Sequence, residues 1–271
     1  MSSGKVRLMS FTSGSCGNGA YVGLEDGPGI LIDAGVSVRR IRRELRERGV
    51  DPATLAAVLV THDHFDHIRH LGSYCKHLSL PVWATAKLQD VFATHPFTKD
   101  WIGGCQRELP PDGWVEVAPG ICIHAFPVPH DATDTVGFAI RIGEDRLVWM
   151  TDLGEVTPEA MALAGDATAV VIESNYDPHM LMHGNYTWQL KMRIGTGGQG
   201  HLSNDACAEA VRSFWHPGLK SVFLCHLSGN NNTPSMALSC TSAALKIAGG
   251  PDCPTRLFYF PRQLPTTLYS L

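Results

Sequence analysis

An α/β fold, with sheets packed together and helices outside, is what this sequence predicts, and three observations predict it. Short apolar runs of strand length recur, as in Ala56–Val60, Ala169–Glu173 and Leu219–Cys225. Segments with apolar residues at helical spacing stand between them. The strands fall into two groups, one in each half of the chain. Across the 271 residues there is no low-complexity linker and no repeat of short period, so one domain over 1–271 is expected.

The first half opens with strands near 5–11, 20–24 and 29–33. Ser13-Gly14-Ser15-Cys16-Gly17-Asn18-Gly19 joins the first two; its glycines let the backbone turn tightly and approach a ligand, and a plain hairpin turn is the alternative. A helix follows, capped by Ser37 and ended by Gly49, with Val38, Ile41 and Leu45 at helical spacing. Its outer face is basic: Arg39, Arg40, Arg42, Arg43, Arg46 and Arg48 stand against only Glu44 and Glu47. A solvated helix face explains that run, and a phosphate-contacting surface is the other reading. Next come a strand at 56–60, helices near 68–78 and 85–93, and a strand at Leu80–Ala84. Residues 95–113, with Pro96, Gly103, Gly104, Pro110, Pro111 and Gly113, read as a long loop that could cover a site.

In the second half, strands are expected near 114–118 and 121–126, then a hairpin 135–142/146–151 turning at Gly143-Glu144-Asp145. A helix near 158–164 leads to strand 169–173, followed by an irregular polar stretch to 186, a helix to 193 and a glycine-rich connection at 195–200. Ser203 caps a helix reaching Trp215; strand 219–225, helix 233–248 and strand 256–260 close the series.

Apolar content of 44% and charged content of 18% describe an ordinary soluble globular protein. No apolar run approaches the ~18 residues of a membrane span, and Met1-Ser2-Ser3-Gly4-Lys5 lacks the layout of a signal peptide. The cysteines are scattered without a CxxC pair, which suggests reduced thiols. The expectation is a cytoplasmic protein without a membrane partner. A net charge of −4 gives no global footprint of a nucleic-acid binder, leaving the arginine-rich helix as the local exception.

The most informative segment is Thr61-His62-Asp63-His64-Phe65-Asp66-His67, directly after the apolar run Ala56–Val60. Imidazole nitrogen and carboxylate oxygen are the donors that zinc and similar ions prefer at hydrolytic sites. His62 and His64 are two residues apart, so they point one way from an extended chain, while Asp66 and His67 lie on the turn beyond. A histidine-rich surface turn fits poorly, because so many ligand-type groups crowded at a strand end are costly without a cation. His70, His77, His95, His124, His179, His183 and His216 read as ordinary surface or core residues. His130, Asp152 and His226 also stand just past apolar strands, and strand ends at one sheet edge converge on one crevice. Seven such groups exceed what one tetrahedral zinc needs and suit two ions sharing a carboxylate, for which Asp152 is the natural bridge.

His62-x-His64-x-Asp66-His67 followed by His130, Asp152 and His226 resembles the metallo-β-lactamase superfamily, whose fold is a four-layer αβ/βα sandwich with a binuclear metal site at one edge. Other stretches narrow the likeness to its YycJ/WalJ branch, relatives of ribonuclease Z described as metal-dependent exonucleases. They are Ser13–Asn18, Leu31-Ile32-Asp33-Ala34-Gly35, Thr151-Asp152-Leu153-Gly154, Glu173-Ser174-Asn175-Tyr176-Asp177, Gly200–Asn204, and His226-Leu227-Ser228 with Asn231. The likeness runs from about residue 6 to 240. It implies that His62, His64 and His130 hold one ion and Asp66, His67 and His226 the other, with Asp152 between, Asp33 orienting a ligand histidine, and Glu173 with His201 serving the leaving group. Two positions depart from the branch: Asp63 stands where Glu is common, and Tyr176 where its motif has His. A long arm of the kind that clamps tRNA is not evident.

The function expected is that of a binuclear metal-dependent phosphodiesterase, a 5′-end-directed DNA exonuclease using metal-activated hydroxide, with DNA favoured over RNA. Catalysis would fall to Asp66, Glu173 and His201, with His201 as general acid. Ser15, Asn18 and the glycine-rich turn would meet the scissile phosphate. Zinc fits the donor set best, and manganese is the alternative. Two competing readings stand: hydrolysis of a small phosphodiester, lactone or thioester, and a nucleic-acid-binding or regulatory partner protein whose metal is structural.

Overall fold

Alternate residues of the central strands face opposite cores, so both faces of each sheet are covered. In the computed structural model, which describes residues 5–196 and 198–271, two seven-stranded sheets pack face to face with helices on their outer sides. Met1–Gly4, part of the stretch read for a leader, and Gly197 of the glycine-rich connection lie outside the described residues.

The first sheet is built from β1 (Val6–Thr12), β2 (Gly19–Leu24) and β3 (Gly29–Ile32) as an antiparallel meander, then parallel β4 (Leu55–Leu59), β5 (Val82–Ala84) and β6 (Gln106–Glu108). Its connections carry α1 (Val38–Glu47), α2 (Phe65–Ile68), α3 (Leu71–Leu78) and α4 (Ala86–Thr94). The second sheet repeats the plan. Antiparallel β7 (Val115–Ala118), β8 (Ile121–Pro127), β9 (Val136–Ile142) and β10 (Asp145–Met150) lead into parallel β11 (Ala169–Glu173), β12 (Ser221–Cys225) and β13 (Arg256–Tyr259). Here α5 (Pro158–Ala164), α6 (Pro178–His183), α7 (Trp188–Gly195), α8 (Asn204–Phe214) and α9 (Pro234–Gly249) fill the crossovers. A short β14 (Tyr269–Ser270) returns to pair with β1.

Three apolar cores fill the spaces between four layers. Ile30, Ile32, Phe138, Trp149 and Phe223 lie between the sheets. Leu31 faces the other way, joining Val38, Ile41, Leu45 and Phe92 beneath the first helical layer. Val170, Ile172, Val222 and Leu224 meet Val211, Phe214 and Leu245 under the second. This is the period-two logic of strands, and the result is the expected αβ/βα sandwich.

Four departures from the sequence reading have local causes. The helix expected at 68–78 divides into α2 and α3, because the 33–35 loop wedges against it: Ala34 N donates to His67 O (2.6 Å) and His70 N to Ala34 O (2.9 Å). Gly35 permits that contact, since a Cβ there would lie 1.9 Å from Asp66 O. The 95–113 segment is not a lid. It turns down onto the helix-side core through Ile102 and Cys105 and then adds β6 to the sheet edge. The stretch taken as irregular contains α6, started by the Asp177 cap on Met180 N and by Pro178 in the first turn. Finally, β14 ties the C-terminal tail to β1.

Candidate metal centre

The C-terminal ends of β3, β4, β10, β11 and β12 and the β8–β9 connection meet at one edge of the sandwich, as crevices of α/β sheets do. They deliver Asp33, His62–His67, Asp152, Glu173, His226 and His130 respectively. Asp33 (φ 62°), Asp152 (φ 52°) and His226 (φ 52°) occupy the left-handed region. Such a conformation costs a non-glycine residue roughly 1–3 kcal/mol and persists only where the surroundings hold it. His226 is held by its N–H on Ser13 Oγ (2.8 Å) and by Asn175 Nδ2 on its carbonyl (2.8 Å).

Ligand-type atoms within 4.8 Å of one another form overlapping sets: His62, His64 and His130; Asp66, His67 and His226; His62, His67 and Asp152; and Asp152, Glu173, His201 and His226. The structure thus brings together all seven residues expected to bind metal. The outer nitrogens of the buried imidazoles are fixed from behind. His62 Nδ1 meets Thr61 Oγ1 (2.9 Å), His67 Nδ1 meets Asp33 Oδ2 (2.8 Å), and His130 Nδ1 meets Gly200 O (2.8 Å). Nε2 of His62 and of His130 is buried with no hydrogen-bond partner. Buried polar atoms are rarely left so. Imidazoles tied at one nitrogen and bare at the other are what a divalent ion requires, so the donor set fits one.

Electrostatics reflect the crowding. Burial and the neighbouring His67 hold His62 well below the usual histidine range. Burial opposes charge on His226, but the Asp152 and Glu173 carboxylates outweigh it and push the ring up to about 10. Burial likewise opposes ionisation of Glu173, and His201 with His226 brings it down to about 2.

Glu173 is fully buried and fully used. Its Oε1 accepts from His201 Nδ1 (2.8 Å) and meets His226 Nδ1 (2.9 Å), while Oε2 accepts Leu153 N (3.0 Å) and Leu202 N (3.1 Å). Burial lowers the His201 pKa, but Glu173 raises it further, for a net upward shift.

The pocket in front of these groups, about 270 Å³, takes Ser15, His64, Asp66, Asp152, His201 and His226 into its wall. Asn18 lies beneath: its Nδ2 contacts Asp66 Oδ2 (2.9 Å) and His67 Nε2 (2.8 Å) rather than the pocket. Asp63 accepts Thr133 N (3.1 Å), joining the histidine loop to the β8–β9 connection. Tyr176 is buried next to Gly195 and does not line the pocket. Sequence reasoning missed Asp131, Tyr186, Leu190, Arg193 and Ile194, which with Gly200 complete the wall. A signal existed for the last group, because α7 carries Leu190 and Ile194 four apart yet buries none of its residues.

A four-layer sandwich with imidazoles and carboxylates gathered at one edge is the scaffold of a metal-dependent hydrolase. The chain belongs to the metallo-β-lactamase superfamily, residues 29–226 matching the family model described as the β-lactamase superfamily domain. It is 31% identical over 241 residues to exodeoxyribonuclease YycJ of Bacillus anthracis, covering 88% of each chain. It is also 31% identical over 225 residues to exodeoxyribonuclease WalJ of Streptococcus pneumoniae, covering 83% of this chain and 82% of that one. Among solved structures, Zn(2+)-bound PqqB from Methylobacterium extorquens superposes with a TM-score of 0.70 at 16% identity, over 96% of this chain and 99% of that one, a likeness of fold.

Proposed function

We propose that this chain is a binuclear metal-dependent phosphodiesterase acting on nucleic acid, a DNA exonuclease directed to the 5′ end. The observation that carries the proposal is the pair of adjacent ligand sets, His62–His64–His130 and Asp66–His67–His226, with Asp152 and the Glu173–His201 pair beside them. The names of the relatives that match 88% and 83% of the chain favour DNA over RNA.

In this reading each set would hold one ion, zinc before manganese, with Asp152 as the carboxylate that would be shared between them. The chemistry such ions supply when bound is Lewis acidity: an acidified water and neutralisation of charge on the phosphoryl oxygens. Asn18 and Asp33 keep Asp66 and His67 in place. His201 receives its proton-holding contact from Glu173 at Nδ1, which leaves Nε2 to give a proton to the departing alkoxide. Ser15, on the pocket wall, meets the phosphate.

A second reading, hydrolysis of a small phosphodiester or thioester, draws support from the modest size of the pocket, about 270 Å³. A structural metal in a binding protein is the third; structural zinc sites are closed, four-coordinate and often cysteine-rich, whereas these sets hold no cysteine. We place the enzyme in the cytoplasm, a reading supported by cysteines that are all free. No described helix is long and apolar enough to cross a membrane.

The deciding experiment follows a 5′-labelled duplex with Mn²⁺-loaded enzyme over time, with Asp66→Ala as control. Early release of labelled mononucleotide, lost in the variant, is expected. An intact duplex would turn the assignment to RNA or a small phosphodiester. Metal analysis should give two exchangeable ions per chain; one tightly held ion would favour the structural role.

A further inference from the structure

Among the described residues, Arg262 is a cation without a carboxylate partner. It sits in the tail between β13 and β14, where the backbone is fastened on both sides. Phe260 N donates to Leu224 O (2.8 Å), Ser13 N to Pro261 O (3.2 Å), Arg40 Nη2 to Gln263 O (2.6 Å) and Thr266 N to Ser10 O (2.9 Å). The side chain is thereby laid across two loops of the metal centre's rim.

Those loops are shaped for it. A Cβ on Gly229 would lie 1.2 Å from Nη1 and 2.4 Å from Cζ of Arg262, and one on Gly14 would lie 3.3 Å from Nε. The guanidinium therefore occupies a seat that Gly229 leaves open and that Gly14 borders closely. Arg262 Nε is buried without a hydrogen-bond partner, and among the described residues no ion pair engages the group. By contrast, Arg48 and Arg193 each pair with a carboxylate, and Arg40, whose Nε is also bare, spends its Nη2 on two carbonyls. A buried donor left bare is costly and calls for a missing acceptor.

The seat adjoins the site on two sides. Gly14 precedes Ser15, which lines the pocket, and Ser13 Oγ accepts the His226 N–H. Gly229 is three residues past His226, so its Cα lies within about 11 Å of that of His226. A planar cation at this range suits a phosphate other than the one being cleaved, since guanidinium forks match phosphate oxygens.

We infer that Arg262 binds a second phosphate of the substrate, next to the scissile one on the same strand. The inference rests on the nucleic-acid reading above. The ligand is either a 5′-terminal phosphate monoester or the neighbouring internal diester; the chemistry is shared, and the test separates the two. Arg262 is a positioning residue that selects strands carrying charge beyond the cleaved bond.

The test measures binding of fluorescein-labelled phosphorothioate DNA strands by fluorescence anisotropy. Three strands are compared: one with a 5′-phosphate, one with a 5′-hydroxyl, and one with a neutral methylphosphonate at the linkage nearest the end. Wild-type enzyme should prefer the charged strand over one of the neutralised strands by roughly 10- to 100-fold, the loss of a charge-assisted contact. Arg262→Ala should bring that ratio close to one and flatten the salt dependence of binding by about one counterion. Gly229→Ala keeps the charge but fills its seat, and should have the same effect; thermal midpoint and metal content report that both variants are folded. A ratio lost for the 5′-phosphate identifies the terminal monoester, and one lost for the methylphosphonate identifies the internal diester. If wild type degrades DNA but shows no such preference, or if the folded variants retain it, the Arg262 assignment falls while the nuclease reading stands. If wild type neither binds nor degrades DNA or RNA, both fall together.

Discussion

Asp33 accepts from three donors at once: Thr61 N (2.9 Å) and Thr61 Oγ1 (3.0 Å) on Oδ1, and His67 Nδ1 (2.8 Å) on Oδ2. It therefore fixes which nitrogen of His67 carries the proton, so that Nε2, which here meets Asn18 Nδ2 (2.8 Å), is the lone-pair side it would offer to a cation. Removing such a support typically weakens a metal site 10- to 100-fold. Asp33→Ala should do so in competition with a chromophoric chelator; an affinity within twofold of wild type would remove Asp33 from this role. His201 is tested differently, because its proposed role is on the leaving group. His201→Ala should slow cleavage of an alkyl phosphodiester by about 10²–10⁴-fold and slow a p-nitrophenyl ester far less, since that group departs without a proton. Equal losses on the two substrates would contradict the acid assignment. The seven ligand-type residues were legible because each follows a strand whose apolar run announces it. The positive φ at Asp152 and His226 was not, because nothing in a neighbouring side chain signals it.

The arginine-rich α1 shows how an element's charge can serve two ends. Its inward stripe, Val38, Ile41 and Leu45, was readable from spacing alone. The basic face is less uniform than the sequence suggests. Arg40 bonds Phe11 O and Gln263 O, and Arg48 bonds Glu44 and Thr266 O, so these two fasten the C-terminal tail. Arg39, Arg42 and Arg46 instead line a cavity of about 770 Å³ between α1 and α3, away from the metal centre. Glu44 is the buried partner of this run. Burial opposes its ionisation, yet hydrogen bonds from Arg43 and Arg48 prevail and lower its pKa. A carboxyl depressed on folding stabilises the protein above its unfolded pKa, near 4.3, and that contribution disappears as pH falls through the folded value. Glu44→Gln should accordingly cost about 1–3 kcal/mol at pH 7, with the difference from wild type shrinking below pH 4.5 in denaturant titrations. A pH-independent difference would mean the charge contributes nothing. Elements without an apolar pattern escaped the sequence reading for the same reason: Gln106–Glu108 becomes a strand only because β5 offers it an edge.

At the scale of the molecule, the two halves are bound to each other twice. One bond is the core between the sheets, to which Ile30 and Ile32 come from one half and Phe138, Trp149 and Phe223 from the other. The second is the cluster of ligand-type groups at the candidate metal centre. His62, His64, Asp66 and His67 leave the first sheet, whereas His130, Asp152 and His226 leave the second, and their ligand atoms interleave in shared sets. We propose from this that residues 1–271 fold as one unit and that bound ions tighten it. A ligand that binds only the folded state at 100 times its dissociation constant adds about 2.7 kcal/mol. For a chain of this size each kcal/mol moves the midpoint by roughly 2–4 °C, so stripping the ions with a chelator should lower it by roughly 5–10 °C. Because both proposed ion sites, His62–His64–His130 and Asp66–His67–His226, combine groups from the two sheets, the loss should appear as a single transition displaced as a whole, reversed by restoring Zn²⁺. Two separated transitions in calorimetry after chelation would show instead that the halves unfold independently and that the ions, not the inter-sheet core, join them.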